Sequence, residues 1–323
     1  MQSPILAIEM EGLSKHFGRH RAVDALNLTI PQGSIFGFLG PNGAGKTTTI
    51  RMLLGLIRPT SGAGRVLGHD ILRQRVAILP HVGAIVESPA CYPYLSGRDN
   101  LRVLARTQGH EDTGRITEVL GQVGLSDRAR DKVRTYSLGM KQRLAIAAAL
   151  LNHPQIIFLD EPTNGLDPAG TVEIRELIGE LGAQGHTIFL SSHLLHEVEQ
   201  VCTEVAIITH GKLVTQGRVA DLLKRDAALL VEAEPFQVVQ EVAARFGVSP
   251  QVRGPRHVAL ALPAEQTPAL LNALVTAGAS VYQITPQHAS LEQLFLELTD
   301  EAHNGQKANG HPLIAVATAT ERT

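Results

Sequence analysis

The segment GPNGAGKTT (40–48) constrains the fold of this chain more than any other feature of its sequence. It fits the pattern G-x-x-x-x-G-K-[ST] through Gly40, Gly45, Lys46 and Thr47. An apolar run, SIFGFLG, precedes it and a helical run, TTIRMLLGLI, follows it. A phosphate-binding loop requires this order of buried strand, loop and helix. The sequence therefore predicts an α/β fold with a phosphate site at the end of a strand.

In such a loop the glycines allow backbone N–H groups to point towards phosphate oxygens. Lys46 is expected to bridge the β- and γ-phosphates, the hydroxyl of Thr47 to bind Mg²⁺, and Thr48 to hydrogen-bond a phosphate. The alternative is a glycine-rich turn with a surface lysine, and the strand and helix on either side argue against it.

Two further apolar runs, QIIFLD (155–160) and HTIFLSSH (186–193), are typical of inner strands in a parallel sheet. Asp160 ends the first run and suits a metal, while Glu161 suits the polarisation of an attacking water. Their side chains should diverge, because neighbouring residues of an extended segment point to opposite sides. His193 is placed to donate a hydrogen bond to the γ-phosphate. The alternatives are acidic turn residues and an ordinary loop histidine, as we expect His196 to be.

Composition narrows the choice of function. Among 323 residues, 29 Lys and Arg nearly balance 31 Asp and Glu, which speaks against binding to a nucleic-acid backbone. Two cysteines are too few for a disulfide framework. The N-terminus lacks the pattern of a signal peptide, and the longest apolar run, LAIAAALL, is far too short for a membrane span. We therefore expect a soluble, cytoplasmic chain.

A change of pattern near residue 220 predicts a second domain. Residues 221–302 show strands and helices in the order βαββαβ, followed by a last helix over 290–301. This order predicts a small ferredoxin-like α+β accessory domain. Residues 303–323 lack periodicity and predict a flexible tail. The first domain then covers 1–220, with a helical subdomain at about 88–150.

Taken in order, these motifs resemble those of the ATP-binding cassette (ABC) ATPases over roughly residues 5–220. GPNGAGKTT is similar to the family's Walker A loop, and IIFLDEP is similar to its Walker B strand. NGLD resembles the D-loop, with Asp167 as its acidic residue, and SSHLLHEVE carries the switch histidine, His193. The resemblance implies a P-loop ATPase with a parallel-sheet core and with antiparallel β and helical subdomains. Its ligands would be ATP and Mg²⁺. The residues implied to contact the nucleotide are Phe17, Gly40, Pro41, Asn42, Gly43, Ala44, Gly45, Lys46, Thr47 and Thr48.

Two assignments depend on this resemblance alone. KHFGRHRAVD (15–24) matches the stretch whose aromatic residue stacks on adenine, which implies Phe17, with core packing as the alternative. YSLGM aligns with the family's LSGGQ signature. In the family, this signature caps the γ-phosphate bound by a second, head-to-tail subunit, so the resemblance implies a dimer with itself or a paralogue. The alternative is that its serine is only a helix N-cap. The residues concerned are Ser137, Leu138, Gly139 and Met140.

Glu87 aligns with the family's Q-loop glutamine, which contacts Mg²⁺ or the lytic water. A glutamate here resembles the branch of bacitracin-type and related antibiotic-resistance exporters. Tyr92 and Tyr94 begin the subdomain that receives the membrane partner in transporters, and loop packing is their alternative.

The resemblance implies an ATP-hydrolysing subunit that energises export through a separate multi-span permease, at the cytoplasmic face of the membrane. One alternative is a soluble cassette ATPase that acts on nucleic acid or ribosomes, although no nucleic-acid partner is expected. Another is a non-catalytic ATP sensor, against which Glu161 and His193 argue.

Overall fold

A computed structural model describes residues 5–87, 91–109, 112–223, 228–287 and 290–296. Within these ranges the strands, in chain order, are β1 (Leu6–Phe17), β2 (His20–Pro31), β3 (Ile35–Leu39), β4 (Ser61–Val66), β5 (His69–Asp70), β6 (Val82–Ile85), β7 (Ile156–Asp160), β8 (Thr187–Ser192), β9 (Glu204–Thr209), β10 (Lys212–Arg218), β11 (Ala228–Glu234), β12 (Gln251–Val252), β13 (His257–Leu260) and β14 (Ser280–Gln287). The helices are α1 (Lys46–Leu53), α2 (Arg75–Ile78), α3 (Gly97–Thr107), α4 (Thr113–Gln122), α5 (Leu138–Leu150), α6 (Pro168–Ala183), α7 (Leu195–Val201), α8 (Val219–Leu222), α9 (Phe236–Arg245) and α10 (Thr267–Thr276). Residues 291–296 are also helical, and we call them the C-terminal helix. The predicted tail at 303–323 lies outside the described residues.

The central sheet has the strand order β10-β9-β3-β8-β7-β6. Its neighbours pair in parallel except β9 and β10, which are antiparallel. Every residue of β3, β7 and β8 is buried, as expected for strands covered on both faces. The predicted parallel-sheet core is confirmed, and it brings the carboxyl ends of β3, β8 and β7 side by side.

Aromatic side chains fill the core beneath this edge of the sheet. The rings of Phe36, Phe38 and Phe158 surround the ring of Phe189, with centroid distances of 5.8, 5.3 and 5.4 Å. On the other face, Gly37 allows α7 to pack closely, because a Cβ there would lie 2.4 Å from Cγ1 of Val198. The strands that carry the site are therefore held rigidly from both sides.

Two smaller units flank the central sheet. Strands β2-β1-β4-β5 form an antiparallel sheet. Helices α3, α4 and α5 form the predicted helical subdomain, and each begins at a side-chain N-cap: Ser96, Asp112 and Ser137, respectively. No helix in the described part of the chain is both long and apolar enough to cross a membrane.

The accessory domain has the predicted ferredoxin-like topology. Its antiparallel sheet has the order β12-β13-β11-β14, which places the first and third strands of the βαββαβ unit in the centre. Alternate residues of β11, Leu229 and Val231, pack with α9 and α10 in a separate apolar cluster. The C-terminal helix does not join that cluster, since Leu291 and Leu294 are buried with residues of the first domain.

Candidate functional site

The site forms where three neighbouring strands end. The loop 40–45 follows β3, Glu161 follows β7 and His193 follows β8, and these strands are adjacent in the order β3-β8-β7. Ligands of open α/β sheets bind at the carboxyl ends of the strands. The fold therefore brings the predicted Walker A, Walker B and switch residues to one edge.

Backbone conformation shapes the loop. Gly45, the N-cap of α1, has φ +103°, and a Cβ there would lie 2.4 Å from the carbonyl oxygen of Ala22. A Cβ at Gly40 would lie 2.3 Å from the carbonyl oxygen of Ile208. Both positions require glycine, because an added side chain would collide with the backbone of a neighbouring strand or loop.

Lys46 lies inside the loop and is only 6% exposed. Its Nζ donates a hydrogen bond to the carbonyl oxygen of Gly40 at 2.6 Å, and it lies 3.0 Å from Oε1 of Glu161. The alternative of a surface lysine is therefore wrong. The buried ammonium is paired with a carboxylate from the next motif.

Glu161 connects the lysine to the histidine. Its Oε2 is 2.7 Å from Nδ1 of His193. The sequence predicts that the side chains of Glu161 and Asp160 diverge because both lie in an extended segment. Glu161 instead has a left-handed φ of +50°, so the reason given by that prediction is wrong. A left-handed glutamate costs backbone energy, which is typical of functional sites.

Ser191 forms hydrogen bonds with both acidic residues, and the sequence interpretation missed it. Its hydroxyl accepts the backbone N–H of Glu161 at 3.0 Å and donates to Oδ1 of Asp160 at 2.5 Å. Ser191 is fully buried and directly opposite Asp160 in the parallel register. The consecutive serines in FLSSH were the available signal, because buried hydroxyls need partners.

A pocket of about 300 Å³ opens beside the loop. Its lining residues come from β1, β2, the loop, α1 and the end of β7: Phe17, His20, Ala22, Asn42, Gly43, Ala44, Gly45, Lys46, Thr47, Thr48 and Glu161. The ring of Phe17 is 51% exposed, with Nζ of Lys15 5.1 Å from its centroid. Core packing of Phe17 is therefore excluded. The pocket offers an aromatic face at one side and a cationic, N–H-rich loop at the other.

The signature residues lie outside this pocket, at the start of α5. The Ser137 hydroxyl accepts the backbone N–H of Met140 at 3.2 Å, so Ser137 is an N-cap of the helix. Leu138 is 47% exposed. The carboxylate of Asp167 caps α6 in the same way, accepting the N–H of Gly170 at 3.1 Å.

Glu87 also lies outside the pocket. It has φ +66°, is exposed and forms an ion pair with Arg51 of α1. Arg51 was not singled out from the sequence, and only its place one turn beyond the loop hinted at a role. Among the described residues, no group of three or more His, Cys, Asp or Glu side chains is placed to hold a metal ion.

Comparison with known proteins agrees with this geometry. A family model described as ABC transporter matches residues 23–164. An uncharacterized ABC transporter ATP-binding protein, YhcH, from Bacillus subtilis (strain 168) is 40% identical over 297 residues, which cover 91% of this chain and 96% of that protein. This chain belongs to the ABC transporter ATP-binding proteins. It is therefore an ATP-binding cassette that hydrolyses ATP.

One further sequence relative and one solved structure are also similar to this chain. The bacitracin transport ATP-binding protein BcrA of Bacillus licheniformis is 48% identical over 224 residues, covering 69% of this chain and 73% of that protein. A solved ATP-binding subunit of an ABC transporter has 25% identity and a TM-score of 0.62, covering 91% of this chain and 99% of that chain. These relatives favour a transporter subunit over an ATPase that acts on nucleic acid or ribosomes.

Proposed function

We propose that this ABC ATPase energises export of a bacitracin-like or other drug-like compound through a separate membrane permease. The identity to a bacitracin transport protein supports this substrate class. The observation that carries the catalytic part of the proposal is the Lys46–Glu161–His193 contact chain, with distances of 3.0 and 2.7 Å.

ATP would bind with its adenine on Phe17 and its phosphates against the loop. The exposed Phe17 and loop residues 42–48 line the same pocket, which suits a ligand with one flat and one anionic end. Thr47 and Asp160 supply hard oxygen ligands for Mg²⁺, an ion that uses few protein ligands beside phosphate oxygens. Bound Mg²⁺ would neutralise charge on the β- and γ-phosphates.

In hydrolysis, Lys46 would leave its contact with Glu161 and bind the β- and γ-phosphates. Glu161 would then accept a hydrogen bond from the attacking water and orient it for in-line attack on phosphorus. The water oxygen would bond to phosphorus and pass a proton to Glu161 while the bond from phosphorus to the bridging oxygen breaks, giving ADP and phosphate. His193 would hydrogen-bond the γ-phosphate, while Ser191 would hold the Asp160 carboxylate and the backbone N–H of Glu161 in place.

A second cassette would complete the site. Ser137 and Gly139 stand at the start of α5, outside their own chain's pocket. The Ser137 hydroxyl accepts in its N-cap contact and can still donate its proton, so this hydroxyl and the backbone N–H groups around Gly139 are available to an anion from another chain. In a head-to-tail dimer these groups, with Leu138 and Met140 beside them, would cap the partner's γ-phosphate. Asp167 would contact the partner at the same interface.

Comparing two serine caps tests this dimer. Ser137→Ala and Ser96→Ala each remove one N-cap, so each should cost about 1 kcal/mol of stability. Only Ser137→Ala should also reduce ATP-dependent dimerisation, measured by sedimentation of full-length protein. Equal dimerisation of the two variants would contradict the proposed cap.

The permease would dock at the helical subdomain. A mainly apolar groove of about 210 Å³ there includes Ile85, Cys91 and Leu144 among its lining residues. Tyr92 and Tyr94, at the same end of the subdomain, are 57% and 77% exposed, which argues against loop packing and suits an interface. Such docking would place this subunit at the cytoplasmic face of the membrane.

Co-purification from native membranes tests the transport proposal. Recovery of a multi-span protein with the chain supports it, and recovery with ribosomes or DNA alone would refute it.

For Glu87 we propose metal or water contact after release from Arg51. Glu87→Gln should therefore shift the Mg²⁺ dependence of ATP hydrolysis, and identical curves would argue against this role.

A further inference from the structure

The C-terminal helix packs on the first domain beside the switch histidine. Leu291 is fully buried and Leu294 is 6% exposed, both within the first domain's apolar core. The backbone N–H of Leu291 donates to Oε2 of Glu199 at 3.1 Å. Glu199 lies on α7, the helix that follows His193 directly. The chain therefore returns from the accessory domain to contact the switch segment.

Helix α7 needs such support. It has seven residues, and its N-cap residue, Leu194, provides no side-chain cap. Helices of this length are unstable without tertiary contacts. One face is fixed by Val198 against Gly37, and Glu197 pairs with Arg175 at 3.2 Å. Glu199 provides a further contact. Its negative carboxylate also stabilises the C-terminal helix, because the N-terminus of a helix carries partial positive charge.

Phe295 extends this contact to the nucleotide loop. With Gly40, Pro41, Asn42, His193 and Leu195, it lines a cavity of about 300 Å³. This cavity is distinct from the pocket that contains Phe17, although Asn42 borders both. A side chain that follows the accessory domain therefore forms one wall of the space next to the switch histidine.

We propose that the C-terminal helix is a positioning element for His193: Glu199 attaches it to α7, and Phe295 fixes the space beside the imidazole. The inference rests on the proposed role of His193 in hydrolysis. Because none of the described residues of this helix lines the pocket that contains Phe17, the helix should affect turnover more than ATP binding.

Substitutions in the full-length protein test this proposal through kcat and KM for ATP. Glu199→Ala and Phe295→Ala should each lower kcat roughly tenfold and leave KM within about twofold, since small misplacements of catalytic groups are costly. Glu199→Gln keeps an oxygen acceptor for the N–H of Leu291 and should retain wild-type kcat. The matched controls are Glu176→Ala on the exposed face of α6 and Gln293→Ala on the exposed face of the C-terminal helix, and both should behave as wild type.

Hydrogen exchange provides a readout that does not depend on activity. Glu199→Ala should speed exchange of the amides in residues 195–201 and leave α1 protected. Wild-type kcat in both Glu199→Ala and Phe295→Ala would overturn the proposal. A loss of kcat/KM that comes from a higher KM at unchanged kcat would overturn it as well. So would unchanged exchange in α7. A wild-type chain that binds no ATP would instead contradict the proposed function.

Discussion

Replacing Glu161 with glutamine separates its two proposed roles. In the structure its carboxylate pairs with Nζ of Lys46 at 3.0 Å, and the two side chains are 20% and 6% exposed, respectively. The phosphates of ATP must compete for that ammonium, so the ion pair should weaken nucleotide binding. The same carboxylate orients water in the proposed mechanism. Glu161→Gln should therefore tighten ATP binding and slow hydrolysis.

The magnitude follows from the two kinds of hydrogen bond. A hydrogen bond to a charged group contributes about 1.5–3 kcal/mol, and we assign the upper end to an ammonium–carboxylate pair and the lower end to an ammonium that contacts a neutral amide. Converting one into the other weakens the contact with Lys46 by about 1–1.5 kcal/mol. That difference corresponds to a roughly five- to tenfold lower Kd for ATP. Loss of the base should lower kcat by about 10²- to 10⁴-fold.

Three assays on full-length Glu161→Gln measure these effects. Titration with a fluorescent ATP analogue and Mg²⁺ gives Kd, phosphate release gives kcat, and sedimentation should show an ATP-bound dimer that persists. Glu180→Gln, on the exposed surface of α6, is the matched control. A Kd within about twofold of wild type would refute competition by the Lys46 ion pair. A kcat within about threefold would refute the role of Glu161 in activating water.

Other positions give independent tests. Gly45→Ala, with φ +103° and a Cβ 2.4 Å from a carbonyl oxygen, should cost about 3 kcal/mol in urea unfolding. Gly43→Ala, with φ +81° and no atom within 4 Å, should cost about 1 kcal/mol, and equal losses would contradict the steric argument. Burial raises the pKa of Glu204, with Arg218 opposing, so the unfolded chain releases this proton at lower pH than the folded chain. The free energy of unfolding should therefore fall as pH rises from the pKa of Glu204 in the unfolded chain through its pKa in the folded chain. Glu204→Gln should raise the free energy of unfolding at neutral pH and reduce this pH dependence. Burial also raises the pKa of Cys91 and Cys202. Mass spectrometry should show that maleimide labels the buried Cys202 only after unfolding, whereas it labels the partly exposed Cys91 faster at alkaline pH.

The sequence predicts the site well where local patterns decide the structure. The run IFGFL must be a buried strand, and the glycines and lysine after it suit one type of turn. The ferredoxin-like order of the accessory domain also follows from local alternation of strands and helices. Contacts between distant segments could not be predicted in this way. Ser191 meets Asp160 across 31 residues of sequence, and Leu291 meets Glu199 across 92 residues. Tertiary packing alone brings these pairs together.

The contacts of Glu161 connect the proposed mechanism to the proposed dimer. In the structure, one carboxylate oxygen of Glu161 contacts the ammonium of Lys46, and the other contacts the imidazole of His193. Glu161 therefore engages both side chains at once. A carboxylate whose two oxygens already contact these partners is not free to orient a water molecule. The γ-phosphate can take over both partners, because it offers more negative charge to Lys46 and hydrogen-bond acceptors to His193. That exchange frees Glu161 only when the phosphate is firmly seated. The helix N-terminus at Ser137 of a second chain would supply the remaining positive potential, and hydrolysis would then depend on dimer closure.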